Sequence, residues 1–93
     1  MCTMIVEKVT VSGSGKSGDS WFSIDQANVS YDHPFNAPLE HALNIDFVNS
    51  GLGPGARVAV ELSEEAARNL VETILTVLQR AEAGGQLESQ LQN

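Results

Sequence analysis

The sequence predicts a small α+β domain, a four-stranded antiparallel β-meander with one C-terminal α-helix packed on one face. Four segments rich in β-branched and aromatic residues come first, and one amphipathic segment follows them. Clusters of glycine, serine and proline separate most of these segments. With 93 residues, 42% of them hydrophobic, we expect one domain over residues 1–85 and a loose tail over residues 86–93.

The strands are expected at residues 4–11, about 21–32, 41–48 and 56–62. Between the first two lies the segment 12–20, whose three glycines and four serines predict a flexible or tightly turned loop. Strands that follow one another so closely pair most simply as antiparallel neighbours, which gives the meander.

The register follows from the hydrophobic pattern, because side chains alternate between the two faces of a strand. Pairing His33 with His41 and Phe47 with Val58 separates an apolar from a polar face. Phe22 and Ile24 have the wrong parity, and either a bulge near Asp25 or a separate role at an interface would explain them. The apolar face then holds Ala27, Val29, Tyr31, Leu43, Ile45, Phe47, Val58, Val60 and Leu62, and the polar face holds Gln26, Asn28, Ser30, Asn44, Asp46, Arg57 and Glu61.

The helix signal is the clearest on the chain. Ser63 fits an N-cap, Glu64 and Glu65 follow in the first turn, and Gly84-Gly85 supplies a stop. Because Ala66 and Val77 make the apolar stripe wider than one sheet covers, and the core is thin, we expect a homodimer or larger assembly. The stripe consists of Ala67, Leu70, Val71, Ile74, Leu75, Leu78 and Ala81.

Composition excludes some function classes. Twelve acidic residues against five scattered basic ones give a net charge of −7, which argues against binding nucleic acid or an anionic membrane. No secretory signal pattern opens the sequence, no apolar stretch is long enough for a bilayer, and Cys2 has no second cysteine to pair with. We therefore expect a cytoplasmic protein.

The candidate site lies around the loop that carries Pro34 and Pro38. His33 and His41 flank this loop, and each directly follows a carboxylate residue, Asp32 and Glu40 respectively. In the predicted register the two imidazoles are cross-strand neighbours on the core side, beside or beneath the helix, with Tyr31 on the same side. A partly buried neutral imidazole can act as a general base. The catalytic candidates are His33, His41 and Tyr31, while Asp32 and Glu40 alternate to the opposite face.

These residues leave three functional hypotheses open. The leading one is an enzyme (isomerase, cyclase or lyase) or a binder of a small molecule, with a histidine as base and Tyr31 as proton donor or orienting group. The alternative is a non-catalytic oligomerisation or protein-interaction module. A third is a divalent-metal site in which Asp32, Glu40 or Cys2 joins His33 and His41, although no cofactor is predicted. Both histidines could equally fill the end of a small core and bond to loop carbonyls.

Two further motifs are weak. The segment 13–17, Gly-Ser-Gly-Lys-Ser, resembles part of a phosphate-binding loop but has Thr10 where the first glycine is needed, and a strand is expected after it. Cys2 would become a nucleophile beside its own α-amine only if Met1 were removed, and a small buried apolar role is the simpler interpretation.

The opening MCTMIVEKVTVSGSGK resembles that of a family of small bacterial proteins of unknown function. The resemblance continues through the segments QANVSYDHP, at residues 26–34, and EHALNIDF, at residues 40–47. It implies a single-domain, cytosolic bacterial protein, and it brings no activity, cofactor or catalytic residue with it.

Overall fold

The computed structural model describes residues 5–53 and 55–85, and it confirms the predicted α+β class. One open sheet has the strand order β1-β2-β3-β4 with every neighbouring pair antiparallel, and a C-terminal helix follows. The predicted tail at residues 86–93 and Cys2 lie outside the described residues. The elements are β1 Ile5–Ser17, β2 Ser20–Asp32, β3 Ala42–Val48, β4 Arg57–Leu62 and α1 Glu64–Ala83.

The first hairpin is longer than its composition predicts. Instead of a loop over residues 12–20, β1 and β2 stay paired up to Ser17 and Ser20, and only Gly18 and Asp19 connect them. Gly18 has a φ of +64° at the first central position, which is the glycine position of a type II′ hairpin turn. Cross-strand pairing therefore overrides the low strand propensity of glycine and serine, and the segment 13–17 is strand rather than phosphate loop.

A register shift interrupts this hairpin opposite Asp25. Thr10 pairs with Gln26 and Gly13 with Ile24, so two β1 residues face Asp25 alone. A Cβ built on Gly15 would lie 2.7 Å from Ile24 Cδ1 and 3.4 Å from Val58 Cγ2, which places these two apolar side chains beside each other. An irregularity is thus found beside Asp25, as predicted, but its extra residue lies in β1 and does not by itself change the face of Ile24 in β2.

The rest of the register agrees with the prediction. Tyr31 pairs with Leu43 in β2 and β3, and Phe47 pairs with Val58 in β3 and β4. Because these pairs fix the faces of three strands, the apolar and polar faces are those that the alternation predicts.

Helix α1 begins and ends at the predicted residues. The Oγ of Ser63 accepts a hydrogen bond from the Ala66 N–H at 3.1 Å, and Glu64 and Glu65 occupy the first turn. At the other end, the Gly84 N–H donates to the Arg80 carbonyl, and Gly85 takes a φ of +72°. These caps satisfy backbone groups that the helix itself leaves without partners.

The helix meets the sheet only through its first turns. Among the described residues, the buried hydrophobic side chains are Ala27, Ala42 and Ala67, and Ala67 is the one on α1. Further along, six large apolar side chains of the helix are 42–59% exposed, so this chain leaves most of its helix stripe uncovered. They are Leu70, Val71, Ile74, Leu75, Val77 and Leu78.

Within residues 5–53 and 55–85, no helix combines the length and the apolar character that crossing a bilayer would require.

A substitution in the turn between β1 and β2 tests whether the two strands stay paired up to Ser17 and Ser20. We expect Gly18→Ala to lower the free energy of unfolding by about 1 kcal/mol, because an L-residue is strained at positive φ. Gly13→Ala is the matched control, since its φ is not positive and a Cβ there would meet no atom within 4 Å. Urea unfolding of both variants measures the difference, and equal stabilities would contradict the turn.

Candidate functional site

Three rings stack where β2 ends and β3 begins. The centroids of His33 and His41 lie 4.6 Å apart with planes inclined by 28°, and those of Tyr31 and His41 lie 5.8 Å apart with planes inclined by 18°. The stack, here called the ring cluster (Tyr31, His33 and His41), results from the register that pairs Tyr31 with Leu43. Cross-strand and diagonal neighbours on one face lie within reach of aromatic side chains. The three predicted site residues are therefore brought together.

The burial predicted for this cluster is wrong. Both imidazoles are exposed, and Tyr31 is 37% exposed. β2 ends at Asp32 and β3 begins at Ala42, so the histidines stand just beyond the last paired residues. In addition, the helix meets the sheet only through its first turns and does not cover the two imidazoles.

A hollow adjoins the cluster on its Tyr31 side. It has a volume of about 360 Å³, and its wall combines the sheet with the first turns of the helix. Neither imidazole lines it, so the predicted pocket enclosing all three rings is replaced by a cluster with a hollow next to it. The lining residues are Tyr31, Leu43, Glu64, Ala67 and Arg68.

The backbone of the loop fixes the His33 ring. Its Nδ1 lies 2.8 Å from the carbonyl oxygen of Glu40, so Nδ1 carries a proton, and in the neutral ring Nε2 then holds the lone pair. The Asp32 carboxylate accepts from the His33 backbone N–H at 2.7 Å. Glu40 thus contributes its carbonyl rather than its carboxylate, and the Asp32 bond is to the backbone of His33 rather than its ring.

The placement of the ligand-type side chains does not support the hypothesis of a divalent-metal site. Within the part of the chain that the structure describes, no three histidine, cysteine, aspartate or glutamate side chains are placed to hold a metal ion. Cys2, one of the suggested third ligands, lies outside that part.

Glu61 of β4 anchors the loop between the histidines. Its carboxylate accepts backbone N–H bonds from Phe35 at 2.7 Å, Asn36 at 3.1 Å and Ala37 at 2.7 Å. These are the three residues between Pro34 and Pro38. The N–H donors of Ala37 and Phe35, in that order, hold the pKa of the Glu61 carboxyl below its ordinary value, since they favour the charged form.

A second carboxylate, that of Asp25, holds the loop at the opposite end of the sheet in the same way. Asp25 accepts hydrogen bonds from the Ser50 Oγ at 2.7 Å and from the Ser50 N–H at 3.1 Å. These bonds lower the pKa of the Asp25 carboxyl, with the hydroxyl of Ser50 the larger cause. The side chain of Asn49 adds a bond to the Ser23 carbonyl at 2.8 Å. Loops at both ends of the sheet are thus held by side chains of the strands.

The anchored loop borders a cleft on the polar face. The cleft has a volume of about 440 Å³, and an ion pair between Arg57 and Asp46, 2.8 Å apart, lies in its wall. Asn44 Oδ1 beside it is buried without a hydrogen-bond partner among the described residues. Phe35, on the anchored loop, is 97% exposed. The lining residues are Ser30, Asp32, His33, Phe35, Asn44, Asp46, Arg57, Ala59, Val60 and Glu61.

Sequence reasoning placed Glu61 on the polar face and missed its contact with the loop. One signal could have found it. Three consecutive N–H donors between two prolines need acceptors, and a carboxylate on the neighbouring edge strand is a suitable one.

The hydrogen bonds from the loop to Glu61 predict that the attachment of the loop depends on pH. Because the folded-state pKa of Glu61 is depressed, the loop attachment should be present above its ordinary pKa of 4.5 and lost as the pH falls through the lower folded-state value. A carbon-13 NMR titration of the Glu61 carboxyl should show a midpoint below 4.5 together with shifts of the Phe35 and Ala37 amides. A midpoint at or above 4.5 would contradict the anchor.

The matched variant is Glu61→Gln, which keeps the shape and removes the charge. We expect it to weaken the three bonds and to speed amide hydrogen exchange at residues 35–37, because charged acceptors bind N–H groups more strongly than neutral ones. Amides of β3 that do not depend on the loop should exchange unchanged.

Comparison with known proteins identifies a family for this chain but no characterised relative. No curated protein and no solved structure matches the chain significantly. A family model, described as a family of unknown function (DUF6295), matches residues 1–87. The match includes the ring cluster, the Glu61 anchor and the whole of α1. The chain therefore belongs to this family of unknown function, DUF6295.

Proposed function

We propose that this protein works as a self-associating module, a homodimer whose interface is the exposed apolar stripe of α1. The observation that carries the proposal is the exposure of six large apolar side chains on one helix, against only three buried alanines among the described residues. Monomeric proteins rarely leave a continuous apolar patch of this kind in water.

The energy scale supports association. Burying a valine, leucine or isoleucine side chain completely stabilises a protein by about 1.5–3 kcal/mol, so six half-exposed ones leave about 4–9 kcal/mol per chain unused. Two chains that bury their stripes together would gain about twice that. This gain is comparable with the association cost of about 4–15 kcal/mol, which allows a dimer at micromolar concentration.

Ile74 lies within the stripe and is 49% exposed, so it is the position of choice for a test. We expect the unmodified protein to have twice its 9.9 kDa mass in light scattering at micromolar concentration. Ile74→Lys should convert it to a folded monomer, because a charge would be buried in the interface but not within one chain. Circular dichroism reports whether the variant stays folded.

The matched control is Gln79→Lys, which adds the same side chain to an exposed position of the helix outside the stripe. It should leave the dimer intact. A monodisperse monomer for the unmodified protein, or equal effects of the two substitutions, would contradict self-association through the stripe.

A small-molecule role for the ring cluster is the second candidate. It is favoured by the hydrogen bond that fixes the His33 ring and by the apolar hollow beside Tyr31. In this role His33 or His41 would act as base or acceptor, and Tyr31 would orient the ligand. Arg68 and Glu64 in the wall of the hollow pair with each other at 2.9 Å, so the hollow suits a small uncharged aromatic molecule rather than a carboxylate.

Phenol is a suitable first probe for this candidate. We expect it to shift the NMR signals of Tyr31, Leu43 and Ala67 at millimolar concentration, because its ring matches the apolar wall of the hollow. His41→Ala, which removes the ring stacked on Tyr31, should weaken binding several-fold, while Gln79→Lys should not. No shifts at these residues, or unchanged affinity in His41→Ala, would rule out the cluster as a site for this class of ligand.

A further inference from the structure

The apolar face of the sheet is not covered by a second layer among the described residues. On the central strands β2 and β3, the large side chains Val29, Ile45 and Phe47 of this face are only half-buried, and no large side chain is fully buried. A sheet buries its apolar face against another layer, and in α+β domains that layer is made of helices. Because α1 meets the sheet only through its first turns, the face lacks this cover.

The uncovered face extends to the outermost strand, β1. Ile5 and Val9 are both more than half exposed, and their pairing with Tyr31 and Ala27 places them on the apolar face. Glu7 lies between them, and its side chain is exposed at the outer edge of the sheet. The apolar face is therefore open to solvent from β1 to β3.

The exposed area of the chain shows how much cover is missing. The chain exposes 7146 Å², whereas a compact monomer of 9.9 kDa exposes about 5200 Å². The difference is larger than the area of about 800 Å² that each partner contributes to a standard stable interface. The radius of gyration of 15.4 Å likewise exceeds the value of about 12 Å expected for a compact domain of 93 residues. A dimer thus has enough surface to bury the sheet face together with the helix stripe.

Resting on the proposed self-association, we propose that α1 of a second copy lies on the apolar face of the sheet and forms its second layer. Each copy gives a helix and receives one, so the contact is self-complementary and closes at two chains. A pair of helices alone would cover the two stripes and leave both sheet faces bare. The helix-on-sheet pair covers stripes and sheet faces in one contact, and the larger apolar area removed from water favours it.

Two valines of β1 offer a matched test of the sheet face, since both are exposed but lie on opposite faces. Val9 pairs with Ala27 on the apolar face, and Val6 pairs with Ser30 on the polar face. We expect Val9→Asp to weaken the dimer about tenfold or more, because a short carboxylate would be trapped between sheet and helix. The control Val6→Asp should leave the dissociation constant unchanged.

Light scattering over a dilution series measures both dissociation constants, and circular dichroism reports whether each variant stays folded. Equal dissociation constants for the two variants would overturn the sheet face as the surface that receives the helix.

Isotope-filtered NMR observes the contact in the unmodified protein. In an equal mixture of carbon-13-labelled and unlabelled chains, the filter retains only nuclear Overhauser effects between copies. We expect these effects to join the methyl groups of Ile74 and Leu78 to the side chains of Val29, Ile45 and Phe47.

The outcomes separate the two proposals. Effects that join α1 only to α1 would indicate a helix pair and overturn this inference, while leaving self-association through the stripe in place. Effects that join only the two sheet faces would overturn this inference and also the stripe as the interface. A monomer in light scattering for the unmodified protein would overturn both this inference and the proposed function.

Discussion

The pairing register of β2, β3 and β4 is the constraint on which the rest of this molecule depends. Because Tyr31 pairs with Leu43 and Phe47 with Val58, three strands present their apolar side chains on one face. The same pairs bring Tyr31, His33 and His41 into one stack and direct Glu61 to the polar face, where it reaches the loop. A slip of one residue would reverse every one of these placements.

Carboxylates of the strands, rather than apolar contacts, hold the loops at the two ends of this sheet. Glu61 binds three consecutive backbone N–H groups next to the ring cluster, and Asp25 binds the backbone and hydroxyl of Ser50 at the other end of the sheet. Charged acceptors form stronger hydrogen bonds than neutral ones, so each acid fixes a loop with one side chain. An exposed aromatic ring, Phe35, is thereby held on a loop with a defined backbone.

The chain leaves its apolar surface incompletely covered. Only alanines are buried hydrophobic residues among the described residues, while the helix exposes leucine, isoleucine and valine along one stripe. A short chain has too little mass to cover both a sheet and a long helix, and a second copy is the simplest source of the missing surface. The proposed self-association follows from this shortage.

The sequence by itself determined the α+β class, the strand register, both helix caps and the proximity of His33 to His41. Each depends on local chemistry or on strict alternation, both of which can be followed along the chain. Only the tertiary structure decided that β1 and β2 pair through the glycine- and serine-rich segment, that Glu61 anchors the loop and that the imidazoles are exposed. Those features depend on which distant groups meet in space and on where the helix leaves the sheet, and a pattern of residue types does not contain that information.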